Sequence, residues 1–422
     1  MKDLWREKYR SMAQERPELG FSVLTAFNAN IDRKLKYEDL GLDLEDVEPQ
    51  DLDTVRDMDD VKSLLKYAME NGANLEADID NFDHDFPGTE SIGGQAGIMA
   101  NFLSGLKGSV TFYTPFLSQD LANLVDEKVL HPYMDEKFVL KNVRDSSNTD
   151  RTKENIIIEY NEDYSGRVIL SDKLRGFGPY FRSGIEDNLG LIDENIDRAL
   201  LSGFHNAEGN FQSKIKKSVS QLENIDSPKH LEMVDCRAKK FRHIMEELAP
   251  HVESIGLDEN EGKKVREFFD KETGEDLHIG EAFEMSKLLI ERSNLERVHL
   301  HTYRYHLVVT EKDYSLGLEE LRDSILFGEV SAILMADKGE VPEIEDFEGL
   351  DFEKLHIKNM DEIEEFGDFF ELDNFAQRGF SEVEDYKVAA IPTLIHEEPE
   401  RLVGMGDIIS SGAYIYETKF TD

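Results

Sequence analysis

Runs of β-branched and apolar residues alternate along the chain with segments whose apolar positions recur every three or four residues. The first pattern predicts buried strands, and the second predicts amphipathic helices. We predict core strands at 20–27, 109–114, 200–204, 229–235, 252–257, 297–310 and 387–392. We predict helices at 1–19, 119–130 and 237–248, and another after residue 280. This alternation indicates an α/β fold with a doubly wound, mainly parallel sheet flanked by helices.

An acidic insertion at 38–92 interrupts the alternation. It contains a helical pattern at 59–71, with Gly72 as the predicted C-cap, and a short strand at 74–79. Its position between the first strand and the core makes it a candidate lid.

A β-hairpin is predicted further along the chain. Its strands lie at 154–160 and 166–170, with the turn at 161–165. Together with the insertion, this hairpin predicts a small, discontinuous β-lid domain beside one large α/β domain. The predicted bounds are 33–92 and 146–179 for the lid, and 1–32, 93–145 and 180–422 for the large domain.

Charge is the unusual feature of the composition. The 422 residues include 90 acidic and 48 basic side chains, which gives a net charge of −42. Such a charge disfavours nucleic acid or an anionic membrane as a partner. Because the acidic residues are spread along the whole chain, we interpret them as a solvated surface, suited to a salt-rich, halophilic cytoplasm.

Thiol chemistry and membrane insertion have little support in the sequence. Cys236 is the one cysteine, so an internal disulfide and a paired-thiol zinc site are excluded. The first residues contain no apolar signal segment, and no run of apolar residues reaches membrane-spanning length. We therefore expect a soluble, cytoplasmic protein.

A Gly-Met-Gly-Asp turn at 404–407 runs into a small-residue helix start. Glycines allow the backbone to approach a ligand closely, and the free N–H groups of a first helical turn favour an anion. Asp407 would then be placed to take a proton from a hydroxyl that attacks a phosphoryl group. The alternative is that Asp407 is simply a helix N-cap after a glycine turn.

Polar residues follow the first predicted strand. The side chains of Asn28, Asn30 and Asp32 are suited to bind a polyol, although an Asx-turn that closes the strand explains them equally well. The Gly93-Gly94 pair precedes a helix that starts near Gln95, which allows close backbone approach to a ligand or only a structural helix entry.

Basic residues flank the predicted hairpin. Lys153 and Arg175 could grip a substrate phosphate in this acidic chain, but ordinary surface cations are the simpler reading of each.

Three carboxylates follow the ends of successive predicted strands: Glu232, Asp258 and Glu261. Carboxylate oxygens suit a hydrated Mg²⁺, and the alternative is a charged loop in a very acidic protein. His299 and His301 face one side of a strand, and a metal-free role is the better interpretation because no third nitrogen or thiolate ligand is evident.

Taken together and in order, these motifs resemble those of the archaeal ADP-dependent sugar kinases, the phosphofructokinase/glucokinase group of the ribokinase-like superfamily. The resemblance covers roughly residues 20–415 and rests on the motifs Asn28-x-Asn30-x-Asp32, Gly93-Gly94-Gln95-Ala96-Gly97, His230-x-Glu232, Asp258-x-x-Glu261, His299-x-His301-Thr302-Tyr303 and Gly404-x-Gly406-Asp407. Three positions depart from the family pattern: Ser91 stands in place of Arg, Asp258 in place of Asn, and Leu402 in place of Thr.

The resemblance implies a ribokinase-like sheet with a small β-lid, and transfer of the β-phosphoryl group of ADP to a sugar hydroxyl. It implies Asp407 as base, with Gly404 and Gly406 as an anion hole. The implied sugar-binding residues are Asn28, Asn30, Asp32, Gly93, Gly94 and Gln95. The implied nucleotide-binding residues are His301, Thr302, Val403 and Gly404, and the metal-binding residues are Glu232, Asp258, Glu261 and Asp407.

Sugar choice stays open at this point. In the family, an acid in the lid accompanies glucose use, and Glu76 is the candidate. Lys153 and Arg175 would favour fructose 6-phosphate, so a phosphofructokinase with glucokinase as a second activity is the preferred hypothesis. The alternatives are an ATP-dependent ribokinase-like kinase and a non-catalytic sugar- or nucleotide-binding homologue. We expect a monomer or a small homo-oligomer.

Overall fold

The computed structural model describes residues 1–15, 19–80, 82, 86–161 and 165–421. The strands are β1 (Ser22–Ala26), β2 (Asn30–Lys36), β3 (Thr54–Val55), β4 (Leu75–Ile79), β5 (Thr89–Gly93), β6 (Ser109–Tyr113), β7 (Leu130–Met134), β8 (Phe138–Asn142), β9 (Glu154–Asn161), β10 (Ser165–Asp172), β11 (Arg198–Leu201), β12 (Lys229–Glu232), β13 (Ser254–Leu257), β14 (Arg297–His301), β15 (Tyr305–Glu311), β16 (Leu355–Ile357), β17 (Phe380–Val383), β18 (Tyr386–Pro392) and β19 (Leu394–His396).

The α-helices are α1 (Lys2–Glu15), α2 (Tyr37–Leu40), α3 (Met58–Asn71), α4 (Gln95–Gly105), α5 (Gln119–Leu124), α6 (Leu189–Asp193), α7 (Phe211–Leu222), α8 (Ala238–Glu247), α9 (Glu259–Phe268), α10 (Ile279–Arg292), α11 (Leu318–Lys338), α12 (Met360–Phe369), α13 (Phe375–Arg378) and α14 (Met405–Tyr416). No helix in the described part of the chain is long and apolar enough to cross a membrane.

The large sheet has the strand order β17-β18-β15-β14-β13-β12-β11-β1-β6-β7-β8. Its centre, from β14 through β1 to β7, is parallel, and antiparallel strands complete both edges. Strand β1 lies between β11 and β6, so the chain runs outward from β1 in both directions. Ligands of doubly wound sheets bind at such a switch point, beside the carboxyl ends of the strands.

Both faces of the large sheet are buried, as expected for parallel strands covered by helices. Neighbouring residues of β1 illustrate the alternation, because Val23 packs in the core on one face and Leu24 in the core on the other. Helices α1, α4, α11 and α14 cover the first face, and α7, α8, α10 and α12 cover the second. The sheet therefore holds the strand ends of its centre in fixed relative positions.

A second sheet has the order β3-β4-β10-β9-β2-β5, and we call it the lid sheet. Its strands come from residues 30–93 and 154–172, so strand β2 begins at Asn30, inside the segment predicted for the large domain. Side chains alternate between its two faces. One face packs Ile156, Ile158 and Val168 against helix α3, and the other, which we call the polar face, carries Asn155 and Arg167 together with Ile157 and Ile169. The predicted domain boundaries remain a prediction.

Several predicted elements are confirmed and several are wrong. Helix α3, its Gly72 cap and the hairpin of β9 and β10 are confirmed. Helix α5 ends at Leu124 because Val125 is already extended. Strand β11 ends early because Gly203 adopts a left-handed conformation. Residues 16–18, in the predicted first helix, and 162–164, in the predicted hairpin turn, lie outside the described residues.

The run predicted as one strand at 297–310 is a hairpin. The Thr302 hydroxyl donates to the carbonyl oxygen of Tyr305 at 2.7 Å and accepts from the N–H groups of Arg304 and Tyr305. These bonds form a tight turn, so β15 pairs antiparallel with β14.

Helix α14 crosses helix α11 at two glycines. A Cβ atom on Gly328 would lie 2.3 Å from the carbonyl oxygen of Ile409, and one on Gly412 would lie 3.2 Å from the Cα atom of Gly328. Only residues without a side chain permit this backbone approach. The crossing thus fixes where the N-terminus of α14 meets the strand ends.

A buried ionic cluster holds the other end of α14. Glu417 is fully buried and accepts from Arg297 Nε at 2.8 Å, from Arg198 Nη1 at 3.4 Å and from the Tyr314 hydroxyl at 2.7 Å. Because a buried charge is costly without partners, this carboxylate ties α14 to strands β11 and β14.

We predict that Gly328→Ala will lower the free energy of unfolding by about 2 kcal/mol, because the new methyl group meets backbone rather than a movable side chain. Denaturant unfolding of the two proteins measures this difference. The control is Gly280→Ala in helix α10, where a Cβ atom would meet nothing within 4 Å. That change should be neutral or stabilising by up to about 1 kcal/mol. Equal unfolding midpoints for Gly328→Ala and the wild type would contradict the tight crossing.

Candidate active site

A cavity of about 860 Å³ lies between the carboxyl ends of the central strands and the polar face of the lid sheet. We call it the main cavity. The predicted site residues that line it are Asn28, Asn30, Asp32, Glu76, Gly94, Gln95, Lys153, Glu232, Asp258, Glu261, His301, Thr302, Val403, Gly404, Gly406 and Asp407. Gly93 and Arg175 are the predicted site residues that do not line it. Its volume lies within the usual range for small-molecule sites.

A polar cluster forms where β1 passes into the lid strand β2. The amide of Asn30 donates to Asp32 Oδ1 at 2.6 Å, and the amide of Asn155 donates to the same oxygen at 3.2 Å. Burial raises the pKa of Asp32, while these two amides act in the opposite direction. The cluster is therefore a preorganised set of donors and acceptors that can bind sugar hydroxyls.

The double glycine adjoins this cluster. A Cβ atom on Gly93 would lie 2.3 Å from the Asp32 carboxyl group, so Gly93 leaves room for the cluster rather than lining the cavity itself. Gly94 is the N-cap of α4 with φ 72°, a conformation that favours glycine. The Gln95 amide donates to the carbonyl oxygen of Met233 at 3.3 Å, which links α4 to the end of β12.

Asp407 is the third residue of helix α14, and Gly404 is the N-cap with φ 88°. The alternative interpretation of Asp407 as a helix cap is therefore wrong. Its carboxyl group is half-buried in the cavity wall. Burial, reinforced by the negative charge of Glu232, raises the pKa of Asp407 to about 8, although His301 and Arg401 pull in the opposite direction. A carboxylate with a raised pKa is well matched to accept a proton near neutral pH.

Two histidines hold the Glu232 carboxylate. His301 Nε2 lies 2.9 Å from Oε1, and His230 Nε2 lies 3.2 Å from Oε2. Burial opposes charge on both partners, but the mutual attraction raises the pKa of His301 and lowers that of Glu232. His230 also bonds Ser410 of α14 at 2.9 Å. The pair thus joins β12 and β14 to the helix that carries Asp407.

The predicted metal residues do not form a cluster of direct ligands, and their predicted role of holding a cation through its water molecules stays a prediction. Among the described residues, no group of three or more His, Cys, Asp or Glu is arranged to hold a metal ion. The physical reason is that Glu232 bonds two histidines, while Asp258 and Glu261 cap each other through backbone N–H bonds at the start of α9. Asp407 is contributed by α14.

The carboxyl groups on this side of the main cavity nevertheless suit a hydrated cation. Burial, with Asp258 and Glu232 nearby, raises the pKa of Glu261 well above its usual range. The three carboxyl groups of Glu232, Asp258 and Glu261 face one cavity. They fit a divalent ion that keeps its own water molecules.

The lid sheet contributes a basic and an acidic group. Burial lowers the pKa of Lys153, and the nearby charge of Glu76 is the largest influence in the opposite direction. Arg175 is exposed in the turn after β10 and does not line the main cavity, so its predicted role as a phosphate ligand stays a prediction. Arg167, on β10, lines the cavity instead.

Two predicted nucleotide residues also serve the fold. The Thr302 hydroxyl is used within the β14–β15 turn, and the Val403 carbonyl oxygen accepts from Arg401 Nε at 3.0 Å. Both residues line the main cavity with His301 and Gly404. Tyr303 stands beside them with 81% of its side chain exposed, and its ring offers a stacking surface at the cavity rim.

Some lining residues were missed in the sequence. Asn155, Ile157, Arg167 and Ile169 lie on the polar face of the lid sheet, and strict alternation along β9 and β10 could have revealed them. His306 and Glu329 come from β15 and α11, where His306 Nε2 lies 3.0 Å from Glu329 Oε2, and no local pattern in the sequence links these two residues.

Comparison with known proteins supports the same interpretation. The family model described as the ADP-specific phosphofructokinase/glucokinase conserved region matches residues 21–416. An ADP-specific phosphofructokinase of Pyrococcus furiosus is 27% identical, over 96% of this chain and 98% of its own length. An ADP-dependent glucose/glucosamine kinase of Pyrococcus abyssi is also 27% identical, over 98% of each chain.

Solved structures share the fold. The last common ancestor of ADP-dependent phosphofructokinases from Methanosarcinales aligns with a TM-score of 0.82 at 24% identity, over 100% of this chain and 98% of that chain. An ADP-dependent kinase in complex with fructose-6-phosphate and ADPβS aligns with a TM-score of 0.82 at 23% identity, over the same shares. The predicted α/β architecture is confirmed. The match over residues 21–416 shows that the chain belongs to the ADP-specific phosphofructokinase/glucokinase family.

Proposed function

We propose that this protein transfers the β-phosphoryl group of ADP to fructose 6-phosphate, with glucose as a second acceptor, and releases AMP. The observation that carries the proposal is the placement of Asp407, at the start of α14, in the same cavity as Asn30 and Asp32 on the lid strand β2. A sugar bound by Asn30 and Asp32 would present a hydroxyl group to Asp407. The names of relatives as phosphofructokinases and glucose/glucosamine kinases support the choice of acceptors.

The proposed reaction is an in-line displacement. The sugar oxygen forms a bond to the β-phosphorus, the bond from that phosphorus to the bridging oxygen breaks, and AMP leaves. The proton of the sugar hydroxyl moves to Asp407 Oδ. Backbone N–H groups at 404–407, at the N-terminus of α14, stabilise the charge that develops on the phosphoryl oxygens.

A divalent cation, Mg²⁺ in this proposal, would neutralise the diphosphate charge when bound. The carboxylates of Glu232, Asp258 and Glu261 would hold it through water. His301 positions Glu232 by their 2.9 Å hydrogen bond and lies against Gly406, where a Cβ atom would come 2.9 Å from His301 Cε1. A cytoplasmic location, a high-salt environment and a small oligomer stay predictions.

A donor-by-acceptor matrix tests this function. ADP or ATP is combined with fructose 6-phosphate or glucose in the presence of Mg²⁺, and the nucleotide product is measured. We expect AMP from ADP with fructose 6-phosphate and, more slowly, with glucose. Turnover with ATP but not ADP would replace the proposal with an ATP-dependent kinase, and binding without turnover would indicate a non-catalytic homologue.

We predict that Asp407→Asn will lower kcat about 1,000-fold, because the amide cannot accept the hydroxyl proton. Nucleotide binding, measured by calorimetry, should persist because the backbone N–H groups remain. The control is Asp368→Asn, an exposed position on α12 that should keep full activity. An active Asp407→Asn enzyme would refute the role of this residue as base.

We predict that Lys153→Met will raise KM for fructose 6-phosphate by about tenfold or more, because a charge-assisted hydrogen bond to the phosphate is lost. The KM for glucose should change far less. Glu76→Gln should show the reverse pattern, since glucose has no phosphate and offers hydroxyl groups to a carboxylate. If both variants changed both KM values equally, the two side chains would not determine sugar choice.

A further inference from the structure

A second cavity, of about 470 Å³, lies where the lid sheet joins the body of the protein. We call it the hinge cavity. Strands β2 and β5 contribute one wall, and helix α4 and the segment 339–343 after α11 contribute the other. Lys34, Ser91, Asn101, Val341 and Arg401 are among its lining residues. Lys34 and Arg401 do not line the main cavity, so the hinge cavity has its own charged groups.

Arg401 provides a buried and incompletely bonded guanidinium group. Only 6% of the residue is exposed. Its Nε donates to the carbonyl oxygen of Val403 at 3.0 Å, whereas its Nη2 has no hydrogen-bond partner among the described residues. A buried donor without a partner costs free energy, so a ligand that accepts from it would be stabilised there.

Lys34 places a second cation beside Arg401. Within the described ranges, its amino group forms no ion pair or hydrogen bond. Burial, followed by repulsion from Arg401, lowers the pKa of Lys34 to about 8, although Asp32 and Glu159 attract the charge. Two neighbouring cations that repel each other form a natural site for an anion.

The acidic side chains around the hinge cavity are oriented toward other partners or solvent. Glu90 bonds Arg33 at 2.7 Å, and Asp126 accepts from the N–H of Lys128 at 2.8 Å. Glu340 and Glu343 are exposed to solvent. The third lining cation, Arg144, donates to the Val125 carbonyl oxygen at 3.2 Å. Lys34 and Arg401 therefore remain the pair available to a ligand inside.

We propose that the hinge cavity binds a small phosphate-type oxyanion, either orthophosphate or the phosphate group of a monoester, between Lys34 and Arg401. Arg401 also attracts Asp32 and Asp407 in the main cavity. An anion that pairs with Arg401 would compete with these two aspartates for the positive charge of the guanidinium group. The same anion would contact both the lid sheet and the body of the protein. The site is thus placed to couple anion binding to the active site.

Calorimetric titration of the full-length protein, without nucleotide or sugar, tests the proposal. The probes are inorganic phosphate and glycerol 3-phosphate, with sodium chloride matched to constant ionic strength because the chain carries a charge of −42. We expect Lys34→Met to weaken binding of at least one probe about tenfold or more, because a charge-assisted contact is lost. Lys34→Arg should retain binding. The tighter of the two probes identifies whether the free anion or the monoester is the better ligand.

The matched control is Lys36→Met, which removes an exposed lysine of the same strand β2 that lines neither the main cavity nor the hinge cavity. It should keep the binding that Lys34→Met loses. Val341→Trp, which fills the hinge cavity without changing charge, should lose it as well. Wild-type phosphate affinity in both Lys34→Met and Val341→Trp would overturn the proposal, as would an equal loss of phosphate affinity in Lys36→Met. Because no turnover is measured, failure here is distinct from failure of the kinase activity.

Discussion

The position of helix α14 is the constraint on which both the fold and the site depend. At its centre, Gly412 packs on Gly328 of α11 at backbone distance, so the helix can occupy one register only. Beyond its C-terminus, Glu417 is bound by two buried arginines from β11 and β14. With both contacts satisfied, the first turn of α14 must lie over the carboxyl ends of the central strands. The catalytic geometry proposed for Asp407 is therefore a consequence of packing that lies well away from the chemistry.

Charge compensation is the second theme of the structure. Where a carboxylate is deeply buried, a specific cation or hydrogen-bond donor accompanies it: histidines for Glu232, arginines for Glu417 and amides for Asp32. Glu261 accepts from the backbone N–H of Asp258 at 2.7 Å, yet burial and nearby carboxylates raise its pKa well above the usual range. Carboxylates that lack a full set of hydrogen-bond or ionic partners line the main cavity, where a cation or a hydrogen-bond donor of a ligand would pair with them. Lys34 and Arg401, which form no ion pair with a described residue, line the hinge cavity.

Much of this arrangement was predictable from local patterns, and the remainder depends on distant contacts. The strand-end motifs around Asn30, Glu232 and Asp407 could be brought together from sequence because parallel strands share a carboxyl edge. Helix α11 was missed because it is buried nearly all round from Leu321 to Ala336, so it lacks an amphipathic period. Sequence does not reveal which way a turn residue projects, so the pattern around Arg175 could not show that this residue lies outside the lining of the main cavity. Arg401 was missed because its environment comes from β2 and α14, which a local pattern cannot report.

The acidic composition and the local cations act over different distances. A net charge of −42 produces a field that repels an anionic nucleotide at long range, and salt screens that field, since the Debye length falls from about 10 Å at 0.1 M to about 3 Å at 1 M. Direct hydrogen bonds from Lys153, Arg167 or Arg401 act at contact distance and are screened much less. Anion binding in this protein must therefore depend on a few cations that face into a cavity, irrespective of the net charge of the surface. Both cavities meet this requirement, and in each of them a lid strand supplies at least one of the cations.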